Sequence, residues 1–280
     1  MTQFAIAGVQ LNAAAGDNLE AIRRVVTAAK RRFPWVDMVV LGELAAKGGS
    51  VAAAEPLPGP TEEYFCTLAR KLNLWMVNGS LYELHQGEVY NTASVINPHG
   101  EVVVRHRKLY PFLPYEQGVS AGNQHTIFDI QGVGRFGVSI CYDMWFPETT
   151  RAMCSMGAEV ILHPTLTNTA DRDLELAIAR TSAGVNQCYF FDVNSCGELG
   201  NGRSIIVGPD GDVLRQAGEC QDVMTTVVDF NRVRRSRERG VLALGQPLKS
   251  FRDSTVQYPQ YSTPSKYLST LGPLVVPGKL

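Results

Sequence analysis

The 280-residue sequence has no apolar run long enough to cross a membrane, because its longest apolar stretches have the length of β-strands. Its first residues lack the charged segment and the cleavage site of a signal peptide. Basic residues number 26 and acidic residues 27, so the formal net charge of −1 gives no reason to expect nucleic-acid binding. These absences predict a cytoplasmic protein with no membrane and no nucleic acid among its partners.

The cysteine and histidine patterns of metal sites are also absent. The six cysteines are scattered, at positions 66, 141, 154, 188, 196 and 220, and neither Cys-x-x-Cys nor His-Glu-x-x-His occurs. Without an export signal, disulfide bonds are not expected either. The sequence therefore predicts no metal and no cofactor.

Hydrophobic residues make up 45% of the chain and charged residues 19%, a composition that fits one large globular domain. Short apolar runs alternate with segments of helical periodicity along most of the chain, which predicts an α/β fold. The predicted strands are 4–10, 37–41, 74–81, 90–97, 101–106, 125–130, 136–140, 159–163, 188–194, 203–207, 212–216 and 223–229. The predicted helices are 18–32, 61–72, 148–156 and 171–186, with Asp17 and Thr61 as caps of the first two.

One sequence pattern occurs twice, once in each half of the chain. Residues 95–102 (Val-Ile-Asn-Pro-His-Gly-Glu-Val) match residues 206–213 (Ile-Val-Gly-Pro-Asp-Gly-Asp-Val), and each pattern predicts a hairpin that turns at Pro-x-Gly. Similar hairpins in both halves indicate two related sheets packed face to face. With helices on both outer faces, this predicts a four-layer α-β-β-α sandwich; a single doubly wound sheet is the alternative.

The regular alternation stops near residue 240, so we predict a domain of residues 1–239 and a separate segment of residues 240–280. This segment contains five prolines and few periodic apolar residues. So long a segment without elements of its own is uncommon inside a compact domain. We interpret it as an arm that lies over a partner subunit in a homodimer or higher homo-oligomer, with a disordered tail as the alternative. The basic run 232–239 before it is typical of a solvated helix face or an interface patch.

The most informative segment is Arg135–Glu148, in which residues 136–140 form an apolar run typical of a buried strand. Cys141 follows directly, and Pro147 with Glu148 suits the first turn of a helix. A cysteine on a sharp strand-to-helix turn faces free backbone N–H groups, as in the nucleophile elbow of serine hydrolases. Cys141 is therefore a candidate nucleophile, although a buried core cysteine fits the same pattern.

Two other predicted strands lead to charged residues. Glu43 comes just after strand 37–41, and Lys108 just after strand 101–106. Open α/β folds build their sites at strand ends. The three strands therefore predict a carboxylate, an ammonium group and a thiol at neighbouring positions.

The chain order of Glu43, Lys108 and Cys141 resembles the Glu-Lys-Cys triad of the nitrilase, or carbon–nitrogen hydrolase, superfamily. The resemblance runs from residue 4 to about residue 230 and includes Glu116, which falls where the family usually carries a second acid. It implies the same four-layer fold and a homo-oligomer with a C-terminal arm. Within the superfamily, the chain is most similar to the amidase and N-carbamoyl amidohydrolase branch.

The resemblance implies hydrolysis of a carbon–nitrogen bond through a thioester on Cys141. A free thiol has a pKa of about 8.5 and is mostly protonated at neutral pH, so it needs a base. Glu43 would accept that proton and return it to departing ammonia, while Lys108 and the backbone N–H of Tyr142 would stabilise the oxyanion. Water activated by Glu43 would then hydrolyse the thioester. Glu116 would orient the substrate and keep Lys108 charged.

The residues after the cysteine narrow the substrate class. Nitrilases proper usually carry Trp-Glu there, whereas Tyr142 and Asp143 in this chain favour a small linear carboxamide, or an N-carbamoyl compound, over a nitrile. Either Arg172 or Arg180 could pair with a substrate carboxylate. The predicted pocket walls are Tyr115, Tyr142, Trp145, Thr167 and Asn168.

Two other interpretations fit parts of the pattern. A Cys–His hydrolase would use His106 or His163 as the base for Cys141, and Lys108 would then have no role. A catalytically silent oligomeric scaffold would bind its partners through the arm. The complete set of acid, amine and thiol argues against the scaffold.

Overall fold

The computed structural model describes residues 3–263 and 265–276; the predicted arm's Pro264 and residues 277–280, like Met1 and Thr2, lie outside the described residues. The strands are β1 (Gln3–Gln10), β2 (Asn12–Ala13), β3 (Met38–Leu41), β4 (Trp75–Val77), β5 (Leu81–His85), β6 (Glu88–Ile96), β7 (Val102–Arg107), β8 (Val119–Ser120), β9 (Thr126–Ile130), β10 (Gly134–Val138), β11 (Val160–Thr165), β12 (Tyr189–Asn194), β13 (Cys196–Gly197), β14 (Ile205–Val207), β15 (Val213–Gln216) and β16 (Asp222–Asp229). The helices are α1 (Leu19–Arg32), α2 (Pro60–Leu72), α3 (Pro147–Ser155), α4 (Arg172–Asn186), α5 (Phe230–Arg239), α6 (Pro247–Asp253) and α7 (Pro259–Ser262).

Two large sheets carry the fold. The eight-stranded sheet has the order β16-β1-β3-β4-β6-β5, and β7 and β8 also pair with β6. The six-stranded sheet has the order β15-β14-β12-β11-β10-β9. Parallel strands occupy the middle of each sheet, β1-β3-β4 in one and β10-β11-β12 in the other. Their near-continuous apolar sequences suit strands that are covered on both faces.

The sheets pack face to face, and helices cover both outer surfaces. The central core joins Ile6 and Met38 of the first sheet to Phe136 and Leu162 of the second. On the outer face of the eight-stranded sheet, α1 and α2 bury apolar side chains such as Val26. On the other outer face, α3 and α4 do the same. The predicted four-layer α-β-β-α sandwich is confirmed.

The repeated hairpins are also confirmed, one in each sheet. The pairs β6–β7 and β14–β15 are antiparallel and turn at Gly100 and Gly211. Both glycines have positive φ values, of 76° and 79°, which a residue with a Cβ adopts only with strain. A single doubly wound sheet is excluded, because the two hairpins lie in different sheets.

The predicted strand 74–81 is wrong in its second half. Gly79 breaks it with a φ of 80°, and a Cβ there would lie 1.9 Å from Gly42 O. β4 therefore ends at Val77, and β5 starts a separate hairpin with β6. The sequence signals both the break, at Asn78 and Gly79, and the turn of the β5–β6 hairpin, at Gln86 and Gly87.

Each of the four predicted helix starts lies one residue from the observed start. α2 begins at Pro60 with Gly59 as its N-cap, and the Thr61 hydroxyl donates to Glu55 instead of capping. The N-cap of α1 is Asn18, so the prediction of Asp17 as the cap is wrong by one residue, although the Asp17 side chain accepts from the N–H of Leu19 at 2.9 Å.

The C-terminal segment contains the short helices α6 and α7, so the expectation of no elements after residue 240 is wrong. Tyr261 donates its hydroxyl proton to Glu148 at 2.6 Å, and Arg151 lies over the ring of Phe251. The segment therefore lies against α3. Among the helices of the described ranges, none is both long and apolar enough to cross a membrane.

The basic run falls in α5 and is more structural than predicted. Arg232 pairs with two aspartates of the β14–β15 hairpin, and Arg234 pairs with Glu159. Arg237 donates to the carbonyl groups of Gln187 and Ala158. These three arginines hold α5 against the six-stranded sheet, while the Arg234 side chain is still 56% exposed, as predicted for a solvated helix face.

Candidate active site

The candidate site lies where strands from both sheets end. Glu43 comes after β3, Lys108 directly after β7, and Cys141 after β10. The N–H of Glu43 donates to Thr165 O, at the end of β11, at 3.1 Å, which ties the two sheets together here. Cys141 has a φ of 46°, in the left-handed region that costs a residue with a Cβ about 1 kcal/mol or more. The predicted strand-to-helix elbow is therefore present and strained.

A single ammonium group lies between two carboxylates. Lys108 Nζ donates to Glu43 Oε1 at 2.9 Å and to Glu116 Oε2 at 2.7 Å. The side chains of Lys108 and Glu43 are buried, and that of Glu116 is 13% exposed. The N–H of Phe112 also donates to Glu116, at 2.6 Å, which fixes the carboxylate within its loop. The structure thus brings the two predicted acids and the predicted amine into direct contact.

The Cys141 thiol completes the group. Its sulfur lies 3.8 Å from Leu166 O, and it also hydrogen bonds with the carboxyl group of Glu43. Burial raises the pKa of the Cys141 thiol well above its usual value, and the negative charge of Glu43 raises it further. Lys108 opposes this effect only in part. Cys141 is therefore a neutral thiol beside a base at neutral pH.

Burial also raises the pKa of Glu43 above its usual 4.5. The charge of Lys108 acts in the opposite direction, and the charge of Glu116 adds to the increase. A buried acid with a raised pKa can exchange protons near neutral pH, as general acid–base catalysis requires. Glu43 is the acid of this site that is suited to that role.

The other two charged groups stay ionised. Burial alone would lower the pKa of Lys108, but the negative charges of Glu43 and Glu116 and the hydrogen bond to Glu116 raise it well above the usual value. Burial alone would raise the pKa of Glu116, but Lys108 and the hydrogen bonds from Phe112 and Asn91 lower it. A fixed ammonium group beside the thiol can therefore stabilise negative charge that develops on a bound substrate.

Two polar residues that the sequence analysis missed support the acids. Asn91, fully buried in β6, donates through Nδ2 to Glu43 at 2.7 Å and to Glu116 at 3.2 Å. The hydroxyl group of Tyr82 lies 3.5 Å from Glu116. The available signal was an asparagine in the middle of a predicted strand, because a buried amide needs hydrogen-bond partners.

A cavity of about 560 Å³ opens onto the four groups. Two of the predicted wall residues, Tyr115 and Asn168, line it. Its other lining residues are Glu43, Leu44, Gly49, Tyr82, Lys108, Phe112, Glu116, Cys141, Leu166, Thr169, Ala170 and Asp171. Its volume suits a small ligand.

The remaining predicted wall residues lie outside this cavity. Trp145 lines a second cavity, of about 780 Å³, between α3, α4 and the C-terminal segment. Thr167 is buried and donates its hydroxyl proton to Glu175 on α4 at 2.7 Å. The ring of Tyr142 packs against Phe112, with 4.9 Å between the ring centroids. The side chain of Tyr142 does not line the cavity beside Cys141. Tyr142 can therefore contact a ligand there only through its backbone, or affect it indirectly through Phe112.

The two arginines considered as carboxylate partners are occupied elsewhere. Arg172 is buried and pairs with Glu175 at 3.1 Å and Asp192 at 2.8 Å. Arg180 donates to Gly211 O at 2.8 Å, beside the β14–β15 hairpin. Neither lines the cavity.

The histidines do not form a Cys–His pair. His106 faces Thr126 with one ring nitrogen and Asp143 with the other. His163 faces the hydroxyl group of Ser139 at 2.7 Å, and burial lowers its pKa to about 3. A histidine with so low a pKa does not accept a proton at neutral pH. Within the described residues, no group of three or more histidine, cysteine and acidic side chains could hold a metal ion.

Replacing Glu116 with Gln is expected to lower amide turnover by about 100-fold or more, because the carboxylate holds Lys108 and is predicted to orient the substrate. The charge of Glu116 contributes to the raised pKa of Glu43, so the acid limb of kcat/KM should shift to lower pH in this variant. Alkylation of Cys141 by a small electrophile should stay nearly unchanged. The measurements are ammonia release and alkylation rate across pH.

A matched control for this variant is Glu83→Gln. Glu83 is also buried and also binds a basic residue of β7, Arg107, but it does not line the cavity. The Glu83→Gln variant should leave the pH dependence of kcat/KM unchanged. A Glu116→Gln enzyme with wild-type turnover and an unshifted acid limb would show that Glu116 is only a loop acid.

The structure thus combines an α-β-β-α sandwich with a buried cysteine, lysine and glutamate at the ends of its strands. A model of the carbon-nitrogen hydrolase family matches residues 4–238. The chain therefore belongs to the carbon–nitrogen hydrolase family, within the nitrilase superfamily, as predicted. It is a hydrolase of carbon–nitrogen bonds other than peptide bonds.

Similar proteins include omega-amidases. Omega-amidase NIT3 of Saccharomyces cerevisiae is 28% identical over 252 residues, which covers 80% of this chain and 86% of the relative. Omega-amidase NIT2-B of Xenopus laevis is 28% identical over 202 residues, or 66% of this chain and 72% of the relative.

Solved structures show the same fold. The crystal structure of Saccharomyces cerevisiae Nit3, a member of branch 10 of the nitrilase superfamily, has a TM-score of 0.78 at 28% identity and covers 84% of this chain and 93% of its own. An amidase from Nesterenkonia sp. has a TM-score of 0.72 at 23% identity, with 84% of this chain and 94% of its own covered.

Proposed function

We propose that the protein is a thiol amidohydrolase that cleaves a small linear carboxamide to an acid and ammonia through a thioester on Cys141. The observation that carries the proposal is the contact of Lys108 with Glu43 and Glu116, at 2.9 and 2.7 Å, beside the buried thiol. This arrangement supplies a nucleophile, a base and a positive charge around one cavity. The naming of two relatives as omega-amidases supports an amide as the bond that is cleaved.

The proton of Cys141 moves to Glu43 as the sulfur attacks the amide carbon, because the thiol is neutral before attack. Lys108 and the N–H of Tyr142 stabilise the oxyanion; the first N–H groups of a helical turn have no partner within that turn. Glu43 then protonates the departing ammonia, which leaves the acyl group on sulfur. Water then gives up a proton to Glu43 and attacks the thioester carbon. The C–S bond breaks, Glu43 returns the proton to the departing sulfur, and the acid is released.

The charges of the cavity favour substrates with a neutral or positive far end. Its described lining contains three carboxylates, Glu43, Glu116 and Asp171, and one basic group, Lys108, which two of those carboxylates already bind. A substrate carboxylate would therefore find no free basic partner there. Asp171 favours the second candidate, an N-carbamoyl amine, whose remote end can carry an ammonium group.

The test is ammonia release from matched compounds of one chain length: amides ending in a methyl, ammonium or carboxylate group, an N-carbamoyl amine and a nitrile. We expect kcat/KM to be highest for an amide or N-carbamoyl amine with a neutral or positive end. Asp171→Asn should weaken only the positively charged compounds. Preference for the nitrile would contradict the proposal, and intact-mass detection of an acyl group on Cys141 would support it directly.

We also propose that the chain forms a homodimer or higher homo-oligomer through its C-terminal arm. The arm exposes large apolar side chains, including Leu244 at 79% and Leu274 at 74%. Exposed apolar patches often mark protein–protein contacts. Deletion of residues 245–280 should reduce the number of subunits per particle, as measured by light scattering. A full-length chain that is already monomeric would contradict this.

We propose the cytoplasm as the location. All six cysteines are free thiols, of which four, including Cys141, are buried. Free thiols suit a reducing compartment.

A further inference from the structure

Asp143 is a fully buried carboxylate that the proposed chemistry does not use. It lies in the short 3₁₀-helix over Cys141–Trp145. Its Oδ1 accepts hydrogen bonds from the backbone N–H groups of Leu109 and Tyr110, both at 2.9 Å. Leu109 and Tyr110 directly follow Lys108, so this oxygen fixes the backbone on the C-terminal side of the lysine.

The other oxygen of Asp143 holds the cysteine. Oδ2 accepts from the N–H of Ile140 at 2.9 Å. Ile140 directly precedes Cys141, whose left-handed φ of 46° needs support from its surroundings. The Asp143 side chain therefore binds the backbone just after Lys108 and the backbone just before Cys141.

His106 reinforces the same link. Its Nε2 lies 3.2 Å from Asp143 Oδ2, and its Nδ1 lies 3.0 Å from the hydroxyl oxygen of Thr126. When Nε2–H donates to the carboxylate, Nδ1 accepts the proton of Thr126. Because β7 carries His106 and β9 carries Thr126, this chain of contacts joins the two sheets beside the site.

We propose that Asp143 is a positioning residue that sets the distance between the Lys108 ammonium group and the Cys141 thiol; the inference rests on the proposed function. The backbone of Lys108 makes two other hydrogen bonds, both 2.8 Å long. Its N–H donates to Asn91 O, and its carbonyl oxygen accepts from the N–H of Gly122, so neither bond reaches the turn at Cys141. Among the side chains of the described residues, that of Asp143 binds both neighbouring segments directly. A displacement of about 1 Å between catalytic groups can reduce a rate about 100-fold.

Asp143→Asn tests this with little change of shape. The amide has one oxygen, so it can accept from Leu109 and Tyr110 or from Ile140, and its NH2 group then opposes the remaining N–H donor. We expect kcat for ammonia release to fall by about 10- to 100-fold while KM changes by less than about threefold, because the lost alignment matters most in the transition state.

Glu62→Gln is the matched control. Glu62 is equally buried and also accepts several hydrogen bonds, from Ser94 at 2.6 Å and from Arg105 on β7 at 2.6 and 2.8 Å. It lies outside the cavity. We expect it to lower the melting temperature about as much as Asp143→Asn does but to leave kcat unchanged.

A second pair of variants keeps the test decisive if Asp143→Asn does not fold. His106→Gln places an amide nitrogen near the position of Nε2 and keeps the donor to Asp143, whereas His106→Asn places its nitrogen near Nδ1 and loses that donor. We expect kcat to fall in His106→Asn and to be largely restored in His106→Gln. Equal loss in both variants would overturn the inference.

The two proposals fail in different ways. If the wild-type protein releases no ammonia from any amide, the proposed function fails, and the rate of iodoacetamide alkylation of Cys141 still reports on the elbow. That rate should fall in Asp143→Asn and stay unchanged in Glu62→Gln. Wild-type kcat and wild-type alkylation in Asp143→Asn would show that Asp143 does not set the spacing.

Discussion

Replacing Cys141 with Ala is expected to lower ammonia release by about 10⁴-fold or more, because alanine cannot form the thioester. The fold should survive. Alanine keeps the Cβ, so the strain of the left-handed backbone at this position does not change. The site is 7% exposed, and only one sulfur atom is lost. Turnover of a small amide and thermal melting of the same preparation measure the two effects.

Cys220→Ala is the control for this variant. Cys220 is exposed and does not line the cavity, so its removal should leave turnover unchanged. Iodoacetamide should inactivate the wild-type enzyme and the Cys220→Ala variant at the same rate. Substantial ammonia release by Cys141→Ala would mean that another group attacks the substrate, and the thioester mechanism would be wrong.

The positions of Glu43 and Cys141 could be predicted because each comes after a short, largely apolar run. The run before Glu43 has no polar residue to interrupt a buried strand, and the first polar group beyond it must lie at the sheet edge. The run before Cys141 contains one polar residue, Ser139, and leads to the sheet edge in the same way. Lys108 follows a strand with alternating exposure, so its position depended more on the resemblance to a family.

Side-chain directions could not be predicted in the same way. Thr167 and Asn168 are adjacent in sequence, yet Asn168 lines the cavity while Thr167 points toward Glu175. The deciding contact comes from α4, and no local pattern reveals it. Asn91 was missed for a similar reason, because its two acidic partners are 48 and 25 residues away in sequence.

The charge balance of the site depends on one residue. Glu43 and Glu116 both contact the single ammonium group of Lys108, and all three are largely buried. The raised pKa of Glu43 and the lowered pKa of Glu116 both include the effect of that ammonium group. Removing it should therefore change catalysis and folding together, with different dependences on pH.

Replacing Lys108 with Met is expected to lower turnover by about 10²- to 10³-fold, the usual cost of losing one group that stabilises the oxyanion. The free energy of unfolding at pH 7 should also fall by about 3–5 kcal/mol, because two buried carboxylates lose their partner. Methionine fills a similar volume, so most of this loss should be electrostatic. Kinetics and urea unfolding from pH 4 to pH 8 measure both effects.

The sign of the pH dependence distinguishes charge from packing in Lys108→Met. In the wild-type protein, the lowered pKa of Glu116 gives a contribution to stability that is present above the unfolded-state pKa and is lost as the pH falls through the folded-state value. In the variant, repulsion between the carboxylates of Glu43 and Glu116 raises the pKa of one of these two carboxyl groups in the folded state. That carboxyl group stabilises the fold below its unfolded-state pKa, and the benefit disappears as the pH rises through the folded-state value. The stability difference between the two proteins should therefore grow from pH 4 to pH 8.

The double variant Lys108→Met/Glu116→Gln provides the control, because it removes one of the two unpaired charges. It should be more stable than Lys108→Met at pH 7 and remain nearly inactive. A stability loss that is independent of pH, and that Glu116→Gln does not relieve, would show that Lys108 acts by packing. Amide turnover close to the wild-type rate in Lys108→Met would show that its ammonium group does not stabilise the oxyanion.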